Sequence, residues 1–281
     1  MNFVLTILTF VFLYFLAGLA GAYTFRRLDA ISVAQAAVLG TSAYAFAILQ
    51  MRGLPTYLSV IGAILTAALV GGMAVGLSER TIGEDYALLT FALQMIWSGI
   101  VSNWTNVTRG PLGISGVGLQ IRFGSTAPAF VYAAASAILA LGILWIAHRG
   151  ESSLFASGAA VVARSSELAS TVGLRPLATR FQVGVASGVV AGLAGLLFAL
   201  FVTLVHPSLF GIDVSVVILA ISFFGLTGKL VKILLGSALL ILVPELARFA
   251  GLPGARAGYL QLLMAGFTVS VGAVVFFRHD R

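Results

Sequence analysis

Long apolar stretches constrain the fold of this chain more than any other feature of its sequence. About nine can be drawn, each near the 20 residues with which a helix crosses the roughly 30 Å hydrocarbon core of a bilayer. They lie at about 3–25, 31–51, 57–77, 86–103, 128–147, 181–205, 212–226, 233–250 and 258–277. The pattern predicts an all-α polytopic membrane protein with about nine transmembrane helices. The seventh stretch is the shortest, and a re-entrant or broken helix is the alternative there.

The composition indicates the same class. Hydrophobic residues make up 60% of the 281 residues and charged residues only 9%, and the mean hydropathy is +1.08. A soluble domain of this length needs far more polar side chains to cover its surface. Because nine crossings of about 20 residues leave only about 100 residues for connections, we predict one transmembrane domain over residues 1–281 and no separate soluble domain.

The distribution of basic residues predicts the orientation. Arg26 and Arg27 follow the first stretch, and the positive-inside rule places them in the cytoplasm. The N-terminus then lies outside and, after nine crossings, the C-terminus is cytoplasmic. In this arrangement eleven Lys and Arg residues face the cytoplasm and five face outside. The net charge of +7 therefore reflects topology. The sequence contains no basic cluster of the kind that would indicate nucleic-acid binding.

Charged residues avoid the middle of every predicted stretch. Asp213, Glu245 and Arg248, for example, fall near predicted ends, where water or snorkelling can serve them. Proton- and sodium-driven carriers tend to place ionisable residues deep in the membrane, so this pattern disfavours a carrier that works without an ATPase. Backbone carbonyls and hydroxyls can bind sodium without a carboxylate, so a sodium-driven carrier stays an alternative.

A few polar residues do lie inside the predicted spans. Gln35, Thr41 and Tyr44 belong to the second stretch, and Thr90 and Gln94 belong to the fourth. Each buried amide needs a hydrogen-bond partner in a dry interior. One interpretation is hydrogen bonding between helices. The other is that these five residues line a translocation path.

The sixth stretch carries small residues at helical spacing. Gly184, Gly188 and Gly192 lie four residues apart, and Gly195 lies on an adjacent smooth face. Small faces let helices approach closely in lipid, where packing must supply the drive for association. We predict helix packing here, with a surface for sliding helices as the alternative.

Two connections are longer than a simple turn requires. The first, at about 103–127, is predicted to be an external loop rich in Gly, Ser, Thr and Asn, and a docking surface is one explanation for its length. The second, at about 148–180, is predicted to be cytoplasmic and contains a short helix that ends at Gly173, with Pro176 as a stop.

The cytoplasmic helix has a candidate apolar face. Leu168, Ala169 and Val172 recur at helical spacing and are predicted to share one side. On these residues alone, a solvated linker is the alternative.

The sequence contains no recognisable catalytic motif. A phosphate-binding loop, a zinc-protease helix and a nucleophile elbow are all missing, and the three histidines lie at span boundaries without partners. The chain also has no cysteine, which excludes disulfides and thiolate sites. We therefore expect no enzyme activity, no metal site and no cofactor on this chain. Energy for active transport would come from another chain or an ion gradient.

Several motifs resemble those of a known family. Residues 83–92 read GEDYALLTFA, and residues 108–114 read TRGPLGI. Together with 34–44 (AQAAVLGTSAY) and 244–246 (PEL), they resemble the permease subunits of bacterial branched-chain amino acid ABC importers. The similarity is collinear from about residue 30 to the end, which makes it more specific than any single motif.

The cytoplasmic segment carries the most informative part of this resemblance. Glu167, Ala169 and Gly173 match the Glu-Ala-Ala-x-x-x-Gly pattern of ABC importer permeases, and Arg164 matches a basic position before it. In that family the element is a coupling helix that sits in a groove of the ATPase. The resemblance implies the same role for these four residues.

One loop departs from the family pattern. The chain keeps Gly225, Gly228 and Gly236 but has Lys229 and Lys232 within a loop that is usually rich in glycine and contains a proline. The loss of the other glycines and of the proline stiffens or reshapes the turn. The departure bears on the solute and on the strength of coupling more than on the fold.

The resemblance implies a transmembrane permease subunit of an ATP-driven importer in the bacterial inner membrane. Its partners would be two cytoplasmic ATPase subunits, which use ATP and Mg, a second related permease forming a heterodimer, and an external solute-binding protein. The expected solute is a branched-chain or other hydrophobic amino acid. The alternatives are a urea or short-amide permease of the same family and an ATPase-independent secondary carrier.

Overall fold

A computed structural model describes residues 2–79, 81, 84–116, 127–151, 153–227, 231–250 and 254–279. Most of these residues are helical. They are α1 (Asn2–Leu28), α2 (Gln35–Met51), α3 (Thr56–Gly76), α4 (Glu84–Asn103), α5 (Thr105–Thr108), α6 (Ala127–Gly150), α7 (Leu154–Arg164), α8 (Ser166–Thr171), α9 (Pro176–Val202), α10 (Ile212–Phe223), α11 (Val231–Phe249) and α12 (Gly254–His279). Two short strands, β1 (Ile114–Ser115) and β2 (Leu204–Val205), pair antiparallel, with Ile114 opposite Val205.

Each of the nine apolar stretches overlaps one helix of the structure, namely α1, α2, α3, α4, α6, α9, α10, α11 or α12. Within the described residues, four helical segments are both long and apolar enough to cross a membrane. They are Phe3–Leu28, Thr56–Glu79, Phe130–Gly150 and Pro176–Val202. The chain is therefore an α-helical, multi-pass membrane protein.

The two-stranded pairing joins connections that are distant in sequence. β1 follows α4 and α5, whereas β2 follows α9, so the pair ties the region after α4 to the end of α9. Residues 117–126, which form most of the rest of the predicted external loop, lie outside the described residues, as do Gly83 and residues 228–230 of the altered glycine loop.

Helix α9 packs closely against α2 and α3 through its glycines. A Cβ atom on Gly184 would collide with the Gly71 backbone, and one on Gly188 would collide with the Ala67 carbonyl. A Cβ on Gly195 would meet the Leu39 carbonyl in the same way. These contacts place backbone against backbone, which only glycine permits. Gly192 contributes a looser contact, with a hypothetical Cβ 2.7 Å from the Ala67 methyl carbon.

Helix α10 has only 12 residues and is therefore about 18 Å long. It begins beside the middle of α1, where Asp213 and Tyr14 line one cavity. It ends further along α1, where the Ser222 hydroxyl lies 3.0 Å from the Gly18 carbonyl oxygen. The two helices thus run in the same direction, and α10 starts partway along the long helix.

This position corrects one expectation. Asp213 does lie at the end of an apolar helix, but that end is level with the middle of α1 and not with its terminus. The error arises because an apolar stretch was assumed to begin at the membrane surface. A 12-residue helix is too short for that assumption, which agrees with the alternative of a broken or re-entrant segment.

Candidate functional site

The connection between α6 and α9 folds into two helices where the sequence predicted one. Ser153 precedes α7, and its side chain accepts a hydrogen bond from the Ala156 amide. Ser165 has an extended backbone, ends α7 and accepts from the Leu168 amide at the start of α8. Each serine therefore acts as an N-cap. Pro176 lies beyond the end of α8 and is also the first residue of α9, where proline is favourable.

The four residues predicted for coupling lie together on α7, α8 and the turn that follows. Arg164, Glu167 and Gly173 are exposed, whereas Ala169 is fully buried. Ala169 belongs to a small apolar cluster that also contains Val162 of α7 and Val183 of α9. A small side chain at this position lets α8 lie close to the rest of the protein.

The predicted apolar face on α8 is not a buried face. Leu168 and Val172 are 63% and 75% exposed, and only Ala169 of the three points inward. Leu154 at the start of α7 is 93% exposed. Apolar side chains that stay exposed on a short connecting element are typical of a contact surface for another chain.

Gly173 ends α8 in a left-handed conformation with a φ of +84°. The Leu174 amide donates to the Ala169 carbonyl at 3.0 Å, and the Gly173 amide donates to the Ser170 carbonyl at 3.1 Å. This is the geometry of a glycine C-cap. No atom lies within 4 Å of a Cβ built on Gly173, so the backbone conformation, not crowding, requires glycine here.

Arg180 fixes this segment to the rest of the protein. Its side chain is only 8% exposed, and its Nε lies 2.9 Å from Glu79 Oε2. Its Nη1 donates to Ser78 Oγ at 2.9 Å, and its Nη2 donates to the Val162 carbonyl at 3.3 Å. One guanidinium therefore joins α9, the turn after α3 and the end of α7.

Sequence reasoning missed this role and counted Arg180 only as a cytoplasmic charge. The carboxylate that pairs with it is about a hundred positions earlier in the chain, and no motif links the two. The only signal in the sequence is that Glu79 is one of just nine acidic residues.

A second set of contacts holds the start of the segment. Arg26 Nη2 lies 2.7 Å from Glu151 Oε1, and Arg27 Nη2 donates to the Gly150 carbonyl at 3.0 Å. The end of α1 is thus attached to the end of α6. The α7–α8 segment is anchored at both ends, which lets it transmit a displacement as a unit.

A cavity of about 390 Å³ lies between this segment and the helix ends beneath it. Asp29, Glu79, Arg164, Glu167 and Arg180 contribute to its lining. Both signs of charge therefore face the same space behind the exposed surface of α7 and α8.

The five residues proposed for a translocation path divide into two groups. Gln94 and Thr90 are fully buried and bonded within the chain. Gln94 Nε2 donates to the Phe210 carbonyl at 2.8 Å, and its Oε1 accepts from the Ala37 amide at 2.8 Å. Thr90 Oγ1 accepts from the Val33 amide at 3.0 Å. These bonds hold the starts of α2 and α10, and they favour the interhelical hydrogen-bond interpretation.

Two of the other three residues, Thr41 and Tyr44, lie at an aromatic cluster. Thr41 Oγ1 accepts from Trp97 Nε1 at 2.9 Å, and the Tyr44 ring stacks edge-on against Trp97 and Phe210. Among the described residues, the Tyr44 hydroxyl and Gln35 Oε1 are buried without a hydrogen-bond partner. Their role in a path stays a prediction.

Comparisons with known proteins place these features in context. The solved structure of PsaBC from Streptococcus pneumoniae in complex with Fab matches 95% of this chain and 88% of its own, with 17% identity and a TM-score of 0.46. No curated protein matches the chain. The family described as the permease component of branched-chain amino acid transport systems matches residues 3–270. Because that match covers nearly the whole length, the chain belongs to this family of branched-chain amino acid transport permeases.

Proposed function

We propose that this chain is the permease subunit of an ATP-driven importer of the bacterial inner membrane, carrying branched-chain or other hydrophobic amino acids. Membership of the permease family over residues 3–270 is the observation that carries the proposal. Two ATPase subunits in the cytoplasm bind ATP and Mg, a second related permease completes the membrane part, and an external binding protein delivers the solute.

The proposed topology has nine membrane-inserted segments, an external N-terminus and a cytoplasmic C-terminus. In this arrangement α10 crosses only part of the bilayer, and the connection between α9 and α10 spans the rest. The α7–α8 segment then lies in the cytoplasm together with Arg26, Arg27 and Arg180, as the positive-inside rule favours. The β1–β2 pair lies on the external side.

The proposed mechanism is alternating access driven through α8. Closure of the ATPases pushes on the exposed surface around Glu167 and Leu168. Ala169 transmits the push by direct packing, and Arg180 transmits it by tying α7 to α3 and α9. Tilting these helices exposes the solute path to each side in turn.

Replacing Gly173 tests the coupling role, with Gly53 as a matched control. Both glycines have a positive φ, +84° and +77°, and neither has an atom within 4 Å of a Cβ. A non-glycine residue in this conformation costs about 1–2 kcal/mol at either position. We expect Gly173→Leu to lower binding-protein-stimulated ATP hydrolysis in proteoliposomes about tenfold or more, because it changes the ATPase contact, whereas Gly53→Leu leaves it near the wild-type rate.

Unchanged stimulation in Gly173→Leu would show that α8 does not couple the two chains. Affinity purification from native membranes separates the proposal from an ATPase-independent carrier. A permease subunit brings nucleotide-binding chains with it, identified by their phosphate-binding loops, whereas a carrier purifies without them.

A further inference from the structure

A second cavity, of about 340 Å³, is separate from the cavity behind the α7–α8 segment. It is formed where α1, α10 and α12 meet. Its polar lining comes from Tyr14, Asp213, Tyr259 and Gln261, and its apolar lining includes Val214 and Leu262. The volume falls within the range of small-molecule sites, and a cavity with few polar groups among apolar ones is typical of them.

The position of the cavity along α1 indicates that its carboxylate, Asp213, has a functional role. Tyr14 lies close to the midpoint of α1, which is 27 residues and therefore about 40 Å long. The helix extends about 5 Å beyond each side of a 30 Å hydrocarbon core if it is centred there. Asp213, which lines the same cavity, is thus level with the middle of a long apolar helix, and an ionisable residue inside a membrane-spanning region is costly and indicates a functional site.

Asp213 is available to a ligand. Within the described residues it forms no hydrogen bond and no ion pair, and its side chain is exposed to the cavity. Gly211 makes room for it, since a Cβ at that position would lie 2.5 Å from Asp213 Oδ1.

We propose that this cavity is a solute site in which the Asp213 carboxylate binds a protonated amine. The tyrosine hydroxyls and the Gln261 amide offer further hydrogen bonds, and Val214, Val217 and Leu262 offer an apolar wall. The substrate class that fits is a zwitterionic amino acid with an apolar side chain. A carboxylate at this depth discriminates against otherwise similar molecules that lack the amine, because they leave its charge unpaired. The inference rests on the proposed function and deepens it.

The test is equilibrium binding to the purified full-length chain in lipid nanodiscs. Radiolabelled L-leucine is the probe, and isoamylamine and 4-methylpentanoate, which each keep one of its two charged groups, are the competitors. We expect saturable binding, competition by the amine and little competition by the acid. Asp213→Asn lowers affinity roughly 10- to 100-fold, as expected for losing a charge-assisted hydrogen bond. Asp213→Glu restores part of it.

Asp85→Asn is the matched control, because Asp85 is also exposed and is also the second residue of its helix. It should bind L-leucine like the wild type. Wild-type affinity in Asp213→Asn, no binding by the wild type, or equal competition by the acid and the amine would each overturn the inference. Melting of each variant in nanodiscs confirms that it is folded. Copurification of the ATPases tests the proposed function without any solute, so the two can fail separately.

Discussion

Arg180 shows how much one residue can decide in a chain with few charges. Its guanidinium is buried and contacts three separate parts of the protein. A buried charge of this kind is tolerated only with a paired carboxylate and further hydrogen bonds. Glu79 supplies the opposite charge, and Ser78 and the Val162 carbonyl accept hydrogen bonds, so this one side chain contributes to the position of α7.

Replacing Arg180 should therefore destabilise the protein. We expect Arg180→Met to cost about 3 kcal/mol, the lower end for breaking a buried ion pair, because Glu79 is partly exposed and can recover some hydration. The measurement is the thermal melting of the purified chain, followed by size-exclusion fluorescence. Arg164→Met removes an exposed arginine nearby and should leave the melting temperature almost unchanged. Equal melting of the two variants would contradict the role of Arg180.

At the scale of the helix, the contact between α3 and α9 depends on backbone proximity. The glycines of α9 meet Gly71, Ala67 and Ala68 of α3 at distances that leave no space for a Cβ. Lipid supplies no hydrophobic drive for helix association, so this close packing is the source of the contact's stability.

A bulky residue in this contact should separate the two helices. We expect Gly188→Leu to abolish most of the folded, monodisperse protein, because the new side chain collides with the Ala67 carbonyl and the Ala68 backbone. Gly142→Leu on α6, where nothing lies within 4 Å of a Cβ, should express and elute like the wild type. The yield of monodisperse protein after size exclusion decides between them. A folded Gly188→Leu variant would show that the contact is not required.

At the scale of the whole molecule, the proposed orientation puts α7 and α8 on one side and the β1–β2 pair on the other. The absence of cysteine from the sequence makes this testable by single-cysteine labelling without further mutation. Ser157 on α7 and Asn106 on α5 are both exposed.

Single cysteines at these two positions should label from opposite sides. We expect Asn106→Cys to react with a membrane-impermeant maleimide in spheroplasts, because α5 lies on the external side. Ser157→Cys should react only after the membrane is permeabilised. Labelling in the reverse order would invert the orientation, and labelling of both in intact spheroplasts would contradict the number of crossings between them.

The altered glycine loop shows a limit of motif comparison. A Cβ on Gly225 would crowd Ala22 of α1, and one on Gly236 would collide with the Phe224 ring, so packing requires glycine at two of the three retained positions. The third, Gly228, lies outside the described residues. Lys232 lies in the first turn of α11, and residues 228–230 lie outside the described residues. A motif read position by position does not reveal which of its glycines the packing needs.

The sequence by itself determined the class of the protein, the position of its long helices and its family. Those features depend on local properties, because an apolar run of about 20 residues must be a helix in lipid whatever surrounds it. Tertiary structure alone decided the Glu79–Arg180 pair, the burial of Ala169 beside exposed Leu168, and the placement of Asp213 near the middle of α1. These features depend on which distant segments meet and at what depth each helix begins. The local sequence pattern does not determine either property.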